Sequence, residues 1–235
     1  MKISVCIPMY NENRIISQTA RELSSYMQQH FSDYEILFYN DGSTDGCDET
    51  VRSLSLPNVF VIAGGENHGK GYAVRQAMLQ ASGDVRMFLD SDLAYGTDVI
   101  SRVARTFESD PEADVVIGSR NLEKGGYEGY SAMRTLASKC YLRLLSFAGR
   151  FRLSDSQCGC KAFSAKAATD IFSRCEVNGF AFDFEALLWA SKLGYKTVEL
   201  PVRVLRHGDS KVRIVRDSLR MIRDVRAMRK RIGKR

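Results

Sequence analysis

The sequence predicts an α/β protein: one domain with a mostly parallel central sheet, helices on both faces, and a basic amphipathic helix at the C-terminus. Three observations predict it. Short apolar runs alternate with segments of helical periodicity over the first 118 residues. Polar and acidic residues follow the ends of those runs again and again, as at the ligand-binding rim of an open parallel sheet. The basic charge is concentrated in the last segment, where apolar residues recur at helical spacing between arginines.

The elements follow in order. "ISVCI" reads as a buried strand and Ile15–Gln29 as a helix; "EILFY" is a strand, followed by a short helix after Asp45. "VFVIA" is a strand with a helix over Gly71–Ala81, "VRMFL" a strand with a helix over Thr97–Phe107, and "DVVIG" a fifth strand. Beyond it, "NLEKGGYEGYS" is a glycine-rich loop. A helix over Ala132–Phe151 places Leu136, Cys140, Leu144 and Phe147 on one side. "FDFEALLWASKLGY" reads as a helix, and "KTVELPVRVL" as a strand in which Pro201 favours an edge or a bulge. Val215, Leu219, Ile222, Val225 and Met228 mark the final helix, so the chain divides into a domain over 1–211 and a basic helix over 212–235.

Composition excludes several classes. With 44% apolar and 26% charged residues among 235, the chain is globular in composition. The N-terminus is no signal peptide, and no apolar run approaches a membrane span. The six cysteines contain no CxxC pair, and "CGC" lacks a second ligand pair, so neither zinc nor a disulfide framework is expected. Of the net charge of +6, the chain from Arg203 onward carries +10 and the remainder −4. Such a tail suits an anionic partner: a membrane surface, a phosphorylated substrate or nucleic acid. The nucleic-acid reading rests on the tail alone, which lacks interleaved stacking aromatics, so no nucleic-acid partner is expected.

The rim residues carry the chemistry. "FLDSDLAYG" ends an apolar strand in Asp90 and Asp92, and an unpaired buried carboxylate is costly. Each rim cluster alone passes for a turn or a helix cap. Two carboxylates beside a turn also suit Mg2+ or Mn2+, hard ions that take a few carboxylates together with phosphate oxygens.

"SVCIPMYNE", "YNDGSTDG", "NHGKGYAVRQAMLQASGD", "FLDSDL", "VIGSR", "DSQCGCKAF", "FAFDFEALLWASKLGY" and "HGDSKV" occur in that order. Together they resemble the family 2 glycosyltransferases of GT-A fold, a Rossmann-like domain, and within them the dolichyl-phosphate (polyprenyl-phosphate) glucosyl- and mannosyltransferases. The resemblance implies that Pro8, Tyr10, Glu12, Asp41 and Lys70 hold the donor nucleotide, with Asp41 at the base and Asn40 replacing an acid found in other members. It implies that Asp90, Ser91 and Asp92 bind nucleotide, with Asp90 and Asp92 on the metal. A glutamine that serves as a metal ligand in some mannosyl members is Ala94 here. Arg206 and Lys211 would close over the donor diphosphate; Arg120, Arg134 and Ser138 would hold the acceptor phosphate. Asp183 and Glu185 would orient the sugar or a metal-bound water.

The implied reaction is one inverting displacement, from UDP-glucose in preference to GDP-mannose, onto a polyprenyl or dolichyl phosphate. It would occur on the cytoplasmic face of a membrane, at an anionic surface and with a possible membrane partner protein. A phosphate monoester, with a second pKa of about 6, needs no general base. The competing reading is transfer to a glycan hydroxyl in cell-surface polysaccharide assembly, which requires Asp183 or Glu185 as base.

Overall fold

A computed structural model of the protein describes residues 1–126 and 153–206, together with 223–225, 227–228 and 230–232. The expected helix over 132–151 lies outside the described residues, as do Arg134, Ser138 and Lys211.

Seven strands form one sheet: β1 (Ile3–Met9), β2 (Tyr34–Asn40), β3 (Val59–Ala63), β4 (Val85–Leu89), β5 (Val115–Ser119), β6 (Cys160–Ser164) and β7 (Thr197–Pro201). The helices are α1 (Asn13–His30), α2 (Cys47–Ser53), α3 (Lys70–Gln80), α4 (Asp98–Ser109), α5 (Ala165–Phe172) and α6 (Phe182–Lys192). The strand order is β3-β2-β1-β4-β6-β5-β7. All pairs are parallel except those of β6, which runs antiparallel to both β4 and β5. The sequence reading put β5 among the parallel strands and missed β6, which separates it from β4. Pro201 closes β7 at the sheet edge, where a missing amide hydrogen is tolerated.

Both sheet faces are buried, which explains the nearly continuous apolar runs. Ile3, Val5, Ile7 and Met9 of β1 point to one core with Ile16, Leu23 and Met27 of α1, while Cys6 points to the other with α3, α5 and α6. Ile16, Ala20, Leu23 and Met27 repeat at helical spacing and are sealed from solvent; each large one contributes about 1.5–3 kcal/mol on burial. The start of α1 is fixed from across the rim, because Asp45 Oδ2 accepts the Asn13 amide hydrogen at 2.8 Å. α5 carries its own cap: Ser164 Oγ accepts from the Ala167 amide.

Residues 223–225, 227–228 and 230–232 are helical. Val225, Met228 and Ile232 are buried in the same core as Trp189 and Phe182. This aliphatic side packs against the protein, leaving Arg223 and Lys230 exposed.

Candidate active site

Because β2, β1 and β4 are adjacent and parallel, the segments that follow them emerge at one rim. Tyr10 stands exposed there, Pro8 and Glu12 are half-buried, and Asn11 turns the chain in the left-handed region at φ 51°. The turn is stitched to the next loop: the Asn11 amide donates to Ser43 Oγ at 3.0 Å, and the Thr44 amide to Asn11 Oδ1 at 2.9 Å. Asn40 Oδ1 accepts from the Ser43 amide at 2.9 Å, so at this position the side chain shapes the loop.

β4 delivers the two aspartates through a tight turn. The Leu93 amide donates to the Asp90 carbonyl and the Ala94 amide to Asp92 Oδ1 at 3.1 Å, while Leu93 adopts φ 46°. Thr19 Oγ1 ties the Ser91 carbonyl to α1 at 2.6 Å. Antiparallel β6 starts at this rim, with Cys160 opposite Leu89, and brings Gly159 against Asp90. A Cβ at Gly159 would lie 2.2 Å from Asp90 Oδ2, so only glycine leaves room for the carboxylate. Lys70, the first residue of α3, sets its Nζ 2.5 Å from Asp90 Oδ1. That oxygen is sealed from solvent and has no partner in hydrogen-bond geometry, so we treat the contact as a Coulombic pair.

Asp183, in the first turn of α6, pairs at 2.7 Å with Lys161 of β6. Lys161 is fully buried, donates also to the Cys158 carbonyl at 2.6 Å, and lies over the Phe88 ring. The charges act on one another. Burial, and then the Asp90 charge, push the Asp92 carboxyl above its ordinary range. Burial pushes Asp183 upward too, against the pull of Lys161 and Lys70. Burial works against the Lys70 ammonium, yet Asp90 and Asp183 outweigh it and hold its pKa above the usual value.

Several expected ligand contacts have other partners. Asp41 is buried, with Oδ1 on the His68 amide at 3.1 Å and Oδ2 on the Gly69 amide at 2.7 Å. It braces the loop that aims Lys70. Arg120 is buried in a bidentate pair with the fully buried Asp155, at 2.6 and 2.9 Å, and not open to a phosphate along that fork. Burial disfavours its charge, but the Asp155 hydrogen bonds prevail and hold its pKa well above the usual value. Glu185 is sealed: Oε2 accepts from the Glu176 and Val177 amides at 2.9 and 2.7 Å, and Oε1 meets Arg231. The carboxylate is directed at its own fold. Arg206 does reach the rim, where Asp92 acts on its charge, but its fork is held by Glu22 at 2.7 and 2.9 Å.

Sequence reasoning missed Lys161, Gly159 and Asp155. Their signals were present: a lysine inside an apolar run, a glycine flanked by two buried cysteines, and an acid just ahead of them in "DSQCGCKAF".

The residues fit a divalent cation. Among the described residues no group of three or more His, Cys, Asp or Glu forms a protein-only cage. Asp90 and Asp92 offer the partial shell that Mg2+ or Mn2+ would complete with phosphate oxygens and water, and the buried Asp90 Oδ1 already faces a cation, the Lys70 ammonium at 2.5 Å.

The comparisons agree with this geometry. The profile of Glycosyl transferase family 2 matches residues 4–172. A dolichyl-phosphate beta-glucosyltransferase of Trichomonas vaginalis is 30% identical over 88% of this chain and 65% of its own length. The dolichyl-phosphate beta-glucosyltransferase of Saccharomyces cerevisiae is 30% identical over 95% of this chain and 72% of its own. The chain thus spans about two thirds of these relatives, and 36% of the similar glycosyltransferase AglD of Haloferax volcanii. Glucosyl-3-phosphoglycerate synthase from Mycobacterium tuberculosis, solved with Mn2+, UDP and glucosyl-3-phosphoglycerate, superposes with a TM-score of 0.69 at 20% identity, over 97% of this chain and 78% of that one. Mannosyl-3-phosphoglycerate synthase from Rubrobacter xylanophilus superposes with a TM-score of 0.68 at 19% identity, over 100% of this chain and 75% of that one. With the motifs in order, the carboxylate turn at the rim and the profile over most of the chain, the protein belongs to glycosyl transferase family 2 and has the GT-A fold.

Proposed function

We propose that the protein moves a hexose from a nucleotide-sugar, UDP-glucose in preference to GDP-mannose, onto a polyprenyl phosphate with inversion at the anomeric carbon. The observation that carries this reading is the commitment of both acids that a hydroxyl acceptor would require. Asp183 shares Oδ1 with a fully buried lysine, and Glu185 is sealed within the fold. A sugar hydroxyl needs a general base, whereas a phosphate monoester arrives mostly dianionic at neutral pH. The similar dolichyl-phosphate glucosyltransferases, and the neighbour solved with UDP, support the acceptor and the donor.

In this reading Tyr10, Pro8 and Glu12 line the donor side of the rim. Asp41 works indirectly, by bracing the loop before Lys70. Asp90 and Asp92 hold Mg2+ or Mn2+, which supplies positive charge against the departing diphosphate. Lys70 and Arg206 are cations on the same side, with Lys211 assigned beside them by resemblance alone. Arg134 and Ser138 are assigned to the acceptor phosphate on the same ground. Arg120 supports that wall of the site through Asp155. The enzyme's task is then to hold the phosphate dianion in line with the anomeric carbon and to keep water out.

No helix among the described residues is long and apolar enough to cross a membrane. The lipid is reached at a membrane surface on the cytoplasmic side, where the exposed Arg223 and Lys230 are cations for anionic headgroups. Flotation with neutral and anionic vesicles tests that surface; equal binding to both counts against it. The function is tested by offering UDP-glucose and GDP-mannose with a short-chain polyprenyl phosphate and Mg2+ or Mn2+, and weighing the lipid product. A lipid-linked hexose from UDP-glucose is expected. No lipid product from any donor overturns the reading.

A further inference from the structure

We propose that Lys70 is a resident cation for Asp90: its ammonium occupies the Asp90 Oδ1 side of the metal position in the cation-free protein, and leaves it when a divalent cation enters together with a diphosphate. This deepens the reading of the Asp90–Asp92 turn as the donor and metal site, and rests on it.

Both partners reach their 2.5 Å contact from fixed supports. Asp90 is backed by Gly159, where even a methyl group would collide with its carboxylate. The backbone on either side of Lys70 is pinned. The His68 and Gly69 amides donate to Asp41, and the Gly71 and Tyr72 amides donate to the Asn178 carbonyl at 2.8 and 3.3 Å. A Cβ at Gly69 would lie 2.5 Å from the Asn178 carbonyl oxygen, and one at Gly71 would lie 2.5 Å from that of Val177. The first turn of α3 is thus held by four backbone amides, and the part of Lys70 left to exchange at Asp90 is its side chain.

That side chain is free to make it. The Lys70 and Asp90 side chains are 27% and 34% exposed, while Asp90 Oδ1 itself is covered with the ammonium beside it. Asp183, the other acid whose charge acts strongly on Lys70, is already paired with Lys161. Asp92 accepts only the Ala94 amide among the described residues, so it has no cation in direct contact. Three carboxylates thus face two ammoniums, and one ammonium sits where a divalent ion would be held more strongly by the same oxygen. A diphosphate arriving with the ion offers that ammonium new acceptors. The arrangement couples the two ligands: the ion gains Asp90 most easily when phosphate oxygens are there to receive Lys70.

The test is a Mn2+ titration of the full chain followed by electron paramagnetic resonance, first without nucleotide and then with UDP. Without nucleotide, Lys70→Met is expected to bind Mn2+ about tenfold more tightly than wild type, because no ammonium has to be displaced from Asp90. UDP should then raise Mn2+ affinity by a smaller factor in the variant than in wild type. Lys70→Gln is the second variant should the methionine form not fold. Arg206→Met removes an equal charge that acts on Asp92 without touching Asp90, and its gain should be much smaller. Unchanged Mn2+ affinity in Lys70→Met, or an equal gain in Arg206→Met, overturns the proposal while leaving the metal site standing. Absence of Mn2+ binding to wild type even with UDP removes the metal reading, and this inference with it.

Discussion

Replacing Gly159 by alanine perturbs the Asp90–Asp92 turn from behind, without touching a carboxylate. The added Cβ would sit 2.2 Å from Asp90 Oδ2 and 2.7 Å from its Cγ, distances that real atoms do not share. The backbone there belongs to the start of β6, paired through Cys160 to Leu89, so the short Asp90 side chain is the part that yields. It has to retreat by roughly 1 Å to reach ordinary contact. Overpacking of this kind costs about 1–3 kcal/mol of stability, which a domain of this size survives. A carboxylate misplaced by about 1 Å costs about a hundredfold in rate. Gly159→Ala is therefore expected to fold, to melt somewhat earlier than wild type, and to lose about two decades in kcat together with Mn2+ affinity. The cycle with Asp90→Asn localises the effect: in that background the alanine should add little further loss, because the two changes act on one group. A folded Gly159→Ala protein with wild-type kcat and Mn2+ affinity refutes the reasoning.

Asp92→Asn should stabilise the metal-free protein at neutral pH. Burial and Asp90 raise the folded-state pKa of Asp92, so between the ordinary value of about 3.9 and that raised value the folded chain binds more protons than the unfolded one, and stability falls as pH rises. The gain in Tm should be present at pH 7 and vanish below about pH 4; equal Tm values at pH 7 contradict it. Glu185→Ala leaves Arg231 and two amides without their acceptor, and urea melts should show a loss of about 3–5 kcal/mol. The pH–rate profile of the remaining activity should keep its shape, whereas a flattened basic limb would return Glu185 to the chemistry. Arg120→Met should destabilise the fold by a similar amount, about 3–5 kcal/mol, by stranding the buried Asp155. Arg120→Met combined with Asp155→Asn, which removes the buried charge and keeps an acceptor for the Arg120 and Gln157 amides, should recover part of that loss, and no recovery contradicts the pairing.

What the sequence revealed follows its physics. β1, β2, β4 and β5 were legible because strands buried on both faces are short apolar runs; β3 is equally apolar in sequence although half-exposed at the sheet edge. β6 was not, because Lys161 breaks the run and is neutralised only by Asp183, which a different helix supplies. α5 has eight residues, too few for a clear period. The Asp90–Asp92 turn was legible because two carboxylates at the end of a core strand need a reason. The partners of Glu185 and Arg120 were not legible because they lie 46 and 35 residues away in the chain. A charged residue near a rim looks the same in sequence whether it faces a ligand or its own fold. Asp41 shows the same ambiguity at closer range, since an acid after a strand serves loop amides as readily as a nucleotide.

The most direct test of the central claim is the product itself. Wild type and Asp92→Asn would each be incubated with UDP-glucose, a short-chain polyprenyl phosphate and Mg2+, beside a glycan acceptor, and the anomeric configuration of any product read by NMR. The account predicts a β-linked lipid-phosphate glucose from wild type, none from the glycan, and collapse of turnover in Asp92→Asn and in wild type with chelator. An α-linked product, transfer to the glycan but never to the lipid phosphate, or undiminished turnover in Asp92→Asn would contradict it.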